Sequence, residues 1–400
     1  MKILMLTPYL PYPPNSGGQI RTYNLLRNLS REHSITLVSL YKNDAEKAHA
    51  ETLRSFCKEV YLCKRPEKPW TFSNIFKAVF GVLPFLIVRN YSSEAASTVS
   101  KLLTNEKFDV IHAETFYVMP HIPKTNTPIL LVEQTLEYRV YKHYISKLPW
   151  YLHHPLRLDT FKLKFWEEYY WNRAQMVAAV SQADADAIHM LSSKINPVVI
   201  PNGASDEMFT HEEKSQVSDS QSILFIGNFS WLQNTEAAQF LLEKITPYIF
   251  KKHKSLKLII AGQNIPEDFK KYESNDQIKF VDLNNAQNSF VHKLYNDATV
   301  FVAPIYGPGG TRLKILSAMA AKTPVITTST GAEGLYLTDK KSVLLAESEK
   351  EFTEKILTLI EDVGLRKEIA ESAYQTAVEK FSWNSITLSL VEAYKNLINK

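Results

Sequence analysis

A chain of 400 residues with 45% hydrophobic and 22% charged side chains is of globular composition and too long for one ordinary core, so two domains of roughly 150–200 residues are expected. Its two cysteines, Cys57 and Cys63, exclude a disulfide framework, match no metal-ligand spacing and suit a reducing cytosol. The net charge of +4 hides an asymmetry: residues 1–200 hold 24 Lys and Arg against 17 Asp and Glu, the remainder 22 against 25, so the first half either faces an anionic membrane or phosphorylated acceptor, or shows ordinary scatter.

The opening Met1-Lys-Ile-Leu-Met-Leu-Thr-Pro8 is apolar for too few residues to be a secretory signal and reads as a buried strand, Lys2–Thr7. Gln19–Leu29 spaces Ile20, Leu25, Leu26 and Leu29 as a helix does. A strand (Ser34–Tyr41), a helix (Ala45–Phe56) and a short strand (Val60–Cys63) follow. Ile75–Val88 is the nearest approach to a spanning segment, but Lys77, Gly81 and Pro84 interrupt it, so no transmembrane helix is predicted. Glu94–Leu103 reads as a helix, and Asp109–His112 and Ile129–Glu133 as strands. This alternation implies a parallel sheet with helices on both faces.

The second half starts the pattern again. Strands are predicted at Ser222–Gly227, Leu256–Gly262, Ile278–Val281, Thr299–Pro304 and Val325–Thr328. Helices are predicted at Thr235–Ile245, Val291–Asn296, Arg312–Ala321, Lys350–Glu361 and Gly364–Lys380, with a last one after Trp383. Ile200-Pro-Asn-Gly203 and the polar run Thr210–Ser222 form the natural linker. The expected organisation is therefore α/β, with Rossmann-like domains over 1–200 and 201–380 and a terminal helix over 381–400 that can cross back to the first. Ligands bind such sheets beyond the C-terminal ends of their strands, and a cleft is expected where two such domains meet.

Five loops follow strands. In the first, Gly17 and Gly18 stand where a helix begins; they either let a diphosphate approach free amides or form a flexible turn. In Asp109-Val-Ile-His112-Ala-Glu114-Thr115, His112 and Glu114 share one strand face. They are either an acid–base pair or a structural His beside a surface Glu. Glu133, Gln134 and Glu137 either bind acceptor hydroxyls or supply the usual acidic start of a helix. Gly227 and Asn228 allow close backbone approach, and the nearby Trp231 either stacks or caps the core. The fifth loop, Tyr306–Gly310, links a strand to a helix that opens with Arg312 and Lys314. Cations there oppose the helix dipole, which an anion site explains. The segment matches neither a Walker motif nor the dinucleotide fingerprint. Two aromatic segments, Trp70–Tyr91 and Leu148–Trp171, suit a membrane interface or lipid tail on one reading, core packing and a bridging helix on the other.

The chain resembles the retaining GT-B glycosyltransferases of family 4, closest to the branch of bacterial surface-polysaccharide sugar transferases. The resemblance rests on Ile223-Leu-Phe-Ile-Gly-Asn228 with Asn234, on Phe301-Val-Ala-Pro304 leading into Gly309-Gly-Thr-Arg-Leu-Lys-Ile-Leu316, on Ala318-Met-Ala320, Pro324-Val-Ile326 and Thr330-Gly-Ala-Glu-Gly-Leu335. Asn15–Gly18, Val180-Ser181 with Ala183-Asp184, Ile200–Gly203 with Phe209, and Phe381–Trp383 support it.

The resemblance implies hexosyl or related glycosyl transfer from a nucleotide-sugar co-substrate, with no metal or other cofactor. Donor contacts would be Gly227, Asn228, Gly309, Gly310, Thr311, Arg312, Lys314 and Ser317. Gly17 and Gly18 would line the diphosphate and acceptor loop. Glu114, where many relatives carry a catalytic His, is the acceptor-side candidate with His112 beside it, and Glu133, Gln134 and Glu137 would meet the acceptor. The expected partners are the donor and a glycan or lipid-linked acceptor at the inner face of the membrane; no nucleic acid is expected. Two positions depart from the family: Ser317 replaces the Glu that binds the donor ribose, and Gln134 replaces a His. They keep a second reading open, a nucleotide-sugar-binding or partner protein that has lost turnover. An epimerase on the same fold has less support, because no further acid–base pair is found.

Overall fold

Near-continuous apolar runs separated by helical patterns can bury both faces of a strand, and only parallel sheets with helices on both sides need that. The computed structural model describes residues 1–146, 148–149, 153–209, 221–284, 286–307 and 312–399. Among the described residues, β1 (Lys2–Thr7), β2 (Ser34–Tyr41), β3 (Glu59–Lys64), β4 (Val110–Glu114), β5 (Ile129–Glu133), β6 (Met176–Ala179) and β7 (Val198–Val199) form one sheet in the order β3-β2-β1-β4-β5-β6-β7. A second sheet joins β8 (Ser222–Asn228), β9 (Lys257–Gln263), β10 (Ile278–Asp282), β11 (Val300–Ala303), β12 (Val325–Thr327) and β13 (Leu344–Leu345) in the order β10-β9-β8-β11-β12-β13. The pairings in both are parallel. The chain divides into residues 1–202 with 383–400, and residues 203–382. Both units are the doubly wound α/β structures expected. Of the polar run read as a linker, 210–220 lie outside the described residues; the units divide earlier, between Asn202 and Gly203.

In the first unit, alternation along each strand sends side chains to two separate layers. Ile3, Met5, Val110, Leu130 and Val132 face one; Leu4, Leu6, Ile111, Ala113 and Leu131 face the other. The first layer holds Leu25, Leu26 and Leu29 of the helix Gly17–Leu29 and Trp383, Ile386, Leu390 and Tyr394 of the terminal helix Trp383–Ile398. The second holds Val99, Phe116, Leu163, Trp171 and Ile188. The second unit has one core, which includes Phe225, Phe301, Ile315, Leu316 and Phe352.

Several helices differ from expectation. The stretch 45–56 breaks into a 3-10 turn, Asp44–His49, capped by the Asn43 side chain, and a short helix, Ala50–Arg54. The apolar run 75–88 is two helices, Phe72–Phe80 and Phe85–Asn90, separated around Gly81 and Pro84. Helices Glu137–Ser146 and His153–Arg173 take the helical alternatives left open for the segments around Glu137 and within Leu148–Trp171, whereas helix Gln182–Leu191 and strands β6, β7 and β13 were not anticipated. Among the described residues, no helix is long and apolar enough to cross a membrane.

The terminal helix is part of the first core although the whole second unit separates it in sequence from that core. Leu390 is fully buried there. Leu390→Ala is therefore expected to cost about 2–5 kcal/mol of unfolding free energy in the first unit, measured by urea unfolding. A loss below about 0.5 kcal/mol would show that this helix does not share the core.

Candidate functional site

In each sheet the crossovers reverse direction between two neighbouring strands, β1 and β4 in the first, β8 and β11 in the second. Loops leaving such a pair diverge and expose the strand ends, which makes this the usual ligand position. The candidate residues gather at these two places, and each unit is described separately.

In the first unit, His112 and Glu114 face the layer that holds the helix Gly17–Leu29 and the terminal helix. His112 Nε2 meets Glu114 Oε1 at 3.0 Å, and His112 Nδ1 is hydrogen-bonded to the Tyr394 hydroxyl. Gln134 Nε2 donates to Glu114 Oε2 at 2.6 Å, and the Tyr9 hydroxyl donates to Gln134 Oε1 at 3.1 Å. Arg21 Nε lies 3.8 Å from Glu114 Oε1, and its Nη1 donates to the Ile200 and Pro201 carbonyls and to Asn202 Oδ1. Arg21, His112 and Glu114 are completely buried. Burial alone would push the Glu114 carboxyl upward; the His112 bond and charge, Arg21 and Gln134 outweigh it and hold the group below the ordinary carboxylate range. Burial likewise pulls Arg21 down, against the pull of Glu114.

This geometry corrects the role expected for Glu114. The sequence places it at the acceptor, yet both its oxygens are engaged inside the fold. It orients Gln134, which is only partly buried. Gly18 fits the same cluster: a Cβ there would overlap the Tyr9 hydroxyl and Gln134 Oε1, so glycine lets the first loop close onto the end of β5. Gly17 is exposed at the helix start. Thr115, directly after Glu114, takes φ 73° and ψ 150°, a conformation that favours glycine and marks local strain at the end of β4.

Glu133 is also corrected. In register Glu114 pairs with Val132, so the next residue, Glu133, points to the opposite face of the sheet. There it is fully buried and accepts from Trp171 Nε1 at 2.7 Å. Burial raises it well above the ordinary range, the Trp171 bond opposing. Glu167, missed in the sequence, is buried on the same side and accepts from the amides of Glu137 and Tyr138, capping the helix Glu137–Ser146. Glu137 remains partly exposed, and desolvation, opposed by Arg89, raises it to about 7.

In the second unit, Gly227 and Asn228 end β8. Asn234 Nδ2 donates to the Asn228 carbonyl at 2.6 Å, and a Cβ on Gly227 would stand 2.9 Å from Asn234 Cγ. Glycine is thus required for Asn234 to pack there. Asn234 Oδ1 accepts from Lys314 Nζ, which also lies 4.9 Å from the Phe225 ring centre. Burial, then the neighbouring Arg312, lowers Lys314 to about 7. Arg312 stands at the N-cap position of the helix Leu313–Ala320, just before its first turn, and donates to the Gly307 carbonyl. Burial pushes the Tyr295 hydroxyl up, with the neighbouring Ser317 opposing. Trp231 is half exposed and does not cap the core. Gly309, Gly310 and Thr311 lie outside the described residues. Among the described residues, no group of three or more His, Cys, Asp or Glu is placed to hold a metal ion.

Two doubly wound parallel units, each with its polar cluster at the switch point, define a GT-B type glycosyltransferase. A model described as Glycosyltransferase Family 4 matches residues 15–207, and one described as Glycosyl transferases group 1 matches residues 220–362. A Klebsiella pneumoniae protein described as an uncharacterized 44.6 kDa protein in the cps region is 24% identical over 97% of this chain and 98% of its own. The sucrose-phosphate synthase of Thermosynechococcus elongatus has the same fold, with a TM-score of 0.74 and 15% identity over 100% of this chain and 99% of its own. HepE of Anabaena, solved in complex with UDP-glucose, has a TM-score of 0.68 and 16% identity over 99% of this chain and 100% of its own. The chain belongs to the family 4 glycosyltransferases.

Arg21 and Tyr394 complete the first cluster and were missed. Arg21 carries a signal, because it stands one turn before Leu25 on the buried face of its helix. Tyr394 carries none, being 282 residues from His112. Arg21→Met should cost about 3–5 kcal/mol, because Glu114 is left as a buried charge without its cation. Adding Glu114→Gln should restore part of that loss in urea unfolding, whereas strictly additive losses would refute the coupling. The lowered Glu114 carboxyl stabilises the fold above the unfolded-state carboxylate pKa, and that share is lost as pH falls through the folded value. Glu114→Gln should therefore flatten the acid limb of stability against pH.

Proposed function

We propose that this glycosyltransferase moves a sugar, with retention at the anomeric carbon, from a nucleotide-diphosphate sugar to a glycan or lipid-linked acceptor in the synthesis of a surface polysaccharide. The observation that carries the donor half is the Lys314–Arg312 pair at the start of the helix Leu313–Ala320. Two cations side by side, one drawn down to about 7 by lost hydration and by the other, gain most from a ligand that brings two negative charges. Asn234 ties Lys314 to the end of β8, so the ammonium is already in place when a diphosphate arrives. Arg312 and Lys314 then take up the charge that develops on the leaving nucleoside diphosphate, and the reading needs no metal.

On this reading Gly309, Gly310 and Thr311 supply amides to the diphosphate, and Gly227 and Asn228 line the donor. Gln134, Glu137, Gly17 and Gly18 meet the acceptor, while His112 and Glu114 hold Gln134 in orientation. The UDP-glucose bound to HepE supports a nucleotide-sugar donor, and the cps-region relative supports a capsule-type polysaccharide. One feature favours a second reading, nucleotide-sugar binding without turnover: Ser317 stands where relatives hold the ribose with a carboxylate.

Incubation with a panel of nucleotide sugars, following release of nucleoside diphosphate, separates the two. Release with one donor supports transfer; thermal stabilisation by a donor without release under any acceptor supports binding alone. Lys314→Met should weaken UDP at least about tenfold in calorimetry, as loss of a charge-assisted phosphate contact does. Because the diphosphate raises the Lys314 pKa, binding takes up a proton above about pH 7, and affinity should fall as pH rises through that range. Lys314→Arg should flatten the fall; unchanged UDP affinity in Lys314→Met would sink the phosphate assignment.

A further inference from the structure

The helix Phe72–Phe80 inverts the usual pattern of a surface helix. It buries only Asn74 and Ala78, one turn apart, and turns its aromatic side to solvent. Phe72 is 84% and Phe80 76% exposed. Phe72, Phe76 and Phe80 form a ladder along it, with ring centres 6.5 and 4.8 Å apart. On the helix His153–Arg173, Leu158, Phe161, Phe165 and Tyr169 recur every three or four residues and are also exposed, Leu158 by 68% and Phe161 by 72%.

The two apolar strips are locked together. Lys162 Nζ donates to the Ala78 and Gly81 carbonyls at 2.8 and 2.7 Å, Trp166 Nε1 donates to the Val82 carbonyl at 3.0 Å, and the Phe85 amide donates to Asp159 at 2.9 Å. These donors and acceptors lie on the helix flank next to the strip Leu158–Phe161–Phe165. Folding has thus satisfied the polar groups and left large apolar groups in water, which a globular surface rarely does over so wide a patch.

We propose that this face docks onto an anionic lipid bilayer. The charge around it matches: no Asp or Glu occurs between Glu67 and Glu94, while Lys68 and Lys77 do, both exposed. Lys77 is exposed on the helix of the Phe ladder, and Arg157 is exposed on the other helix. A symmetric second copy would bring these basic rims against each other, whereas phosphate headgroups neutralise them. Aromatic side chains then enter the headgroup–acyl boundary, and Trp70, stacked on Phe85 at 4.4 Å and itself exposed, is of the type enriched there. The inference deepens the proposed function by giving a lipid-linked acceptor its membrane, and in that respect rests on it.

The test is co-sedimentation of the full chain with vesicles of pure phosphatidylcholine, and of equal parts phosphatidylcholine and phosphatidylglycerol. Binding is expected to the anionic vesicles, weaker at high salt, with a blue shift of tryptophan emission. Phe76→Ser with Phe80→Ser should reduce it at least about tenfold with an unchanged thermal midpoint, since both side chains are exposed. No binding to anionic vesicles, or binding undiminished in the double variant, overturns the assignment. So does a wild-type dimer, by light scattering, that the double variant dissociates, because the face then belongs to a second copy. The vesicle assay contains no donor or acceptor. Failure of the transferase reading appears instead as absent nucleoside diphosphate release in wild type and variant alike.

Discussion

A parallel sheet covered by helices on both faces cannot carry polar chemistry along its strands, because every side chain there enters a core. Polar groups are confined to the C-terminal strand ends, and among these the switch point is the place where two loops part. The chain obeys this constraint twice. In the first unit the permitted place is the end of β4, beside the end of β1; in the second it is the ends of β8 and β11. The candidate chemistry follows from where burial stops.

The two clusters solve their electrostatics in opposite ways. In the first unit opposite charges are gathered inside the fold: Glu114 is buried with Arg21, His112 and Gln134, and Arg21 gives Nη1 to Ile200, Pro201 and Asn202 while its buried Nε and Nη2 make no hydrogen bond. Such a network fixes geometry, since removing any member leaves a buried group without its partner. It holds Gln134 rigidly at the loop surface, and the terminal helix joins it through Tyr394. In the second unit like charges are neighbours, and Lys314 loses affinity for its proton, first through burial and then through Arg312. The first arrangement pairs opposite charges within the fold; the second becomes more favourable with an anion.

The apolar face on the helices Phe72–Phe80 and His153–Arg173 follows neither solution. Its polar atoms are bonded within the fold, while its large hydrophobic groups remain exposed.

The sequence by itself determined most of the strands and the paired α/β halves. Continuous apolar runs such as Ile3–Leu6 and Phe301–Ala303 admit few other structures, and the turn at Gly227 and the cations at Arg312 and Lys314 are local features. Tertiary structure decided the rest. Register alone put Glu114 and Glu133 on opposite faces of one sheet, although both end strands with similar polar loops. Packing of a helix from the far end of the chain supplied Tyr394, which no local pattern could announce. Helical spacing at Leu158, Phe161 and Phe165 shows that they share a side of a helix, but not whether that side is core or surface. Periodicity is a property of the local backbone, whereas inside and outside exist only once other elements have packed.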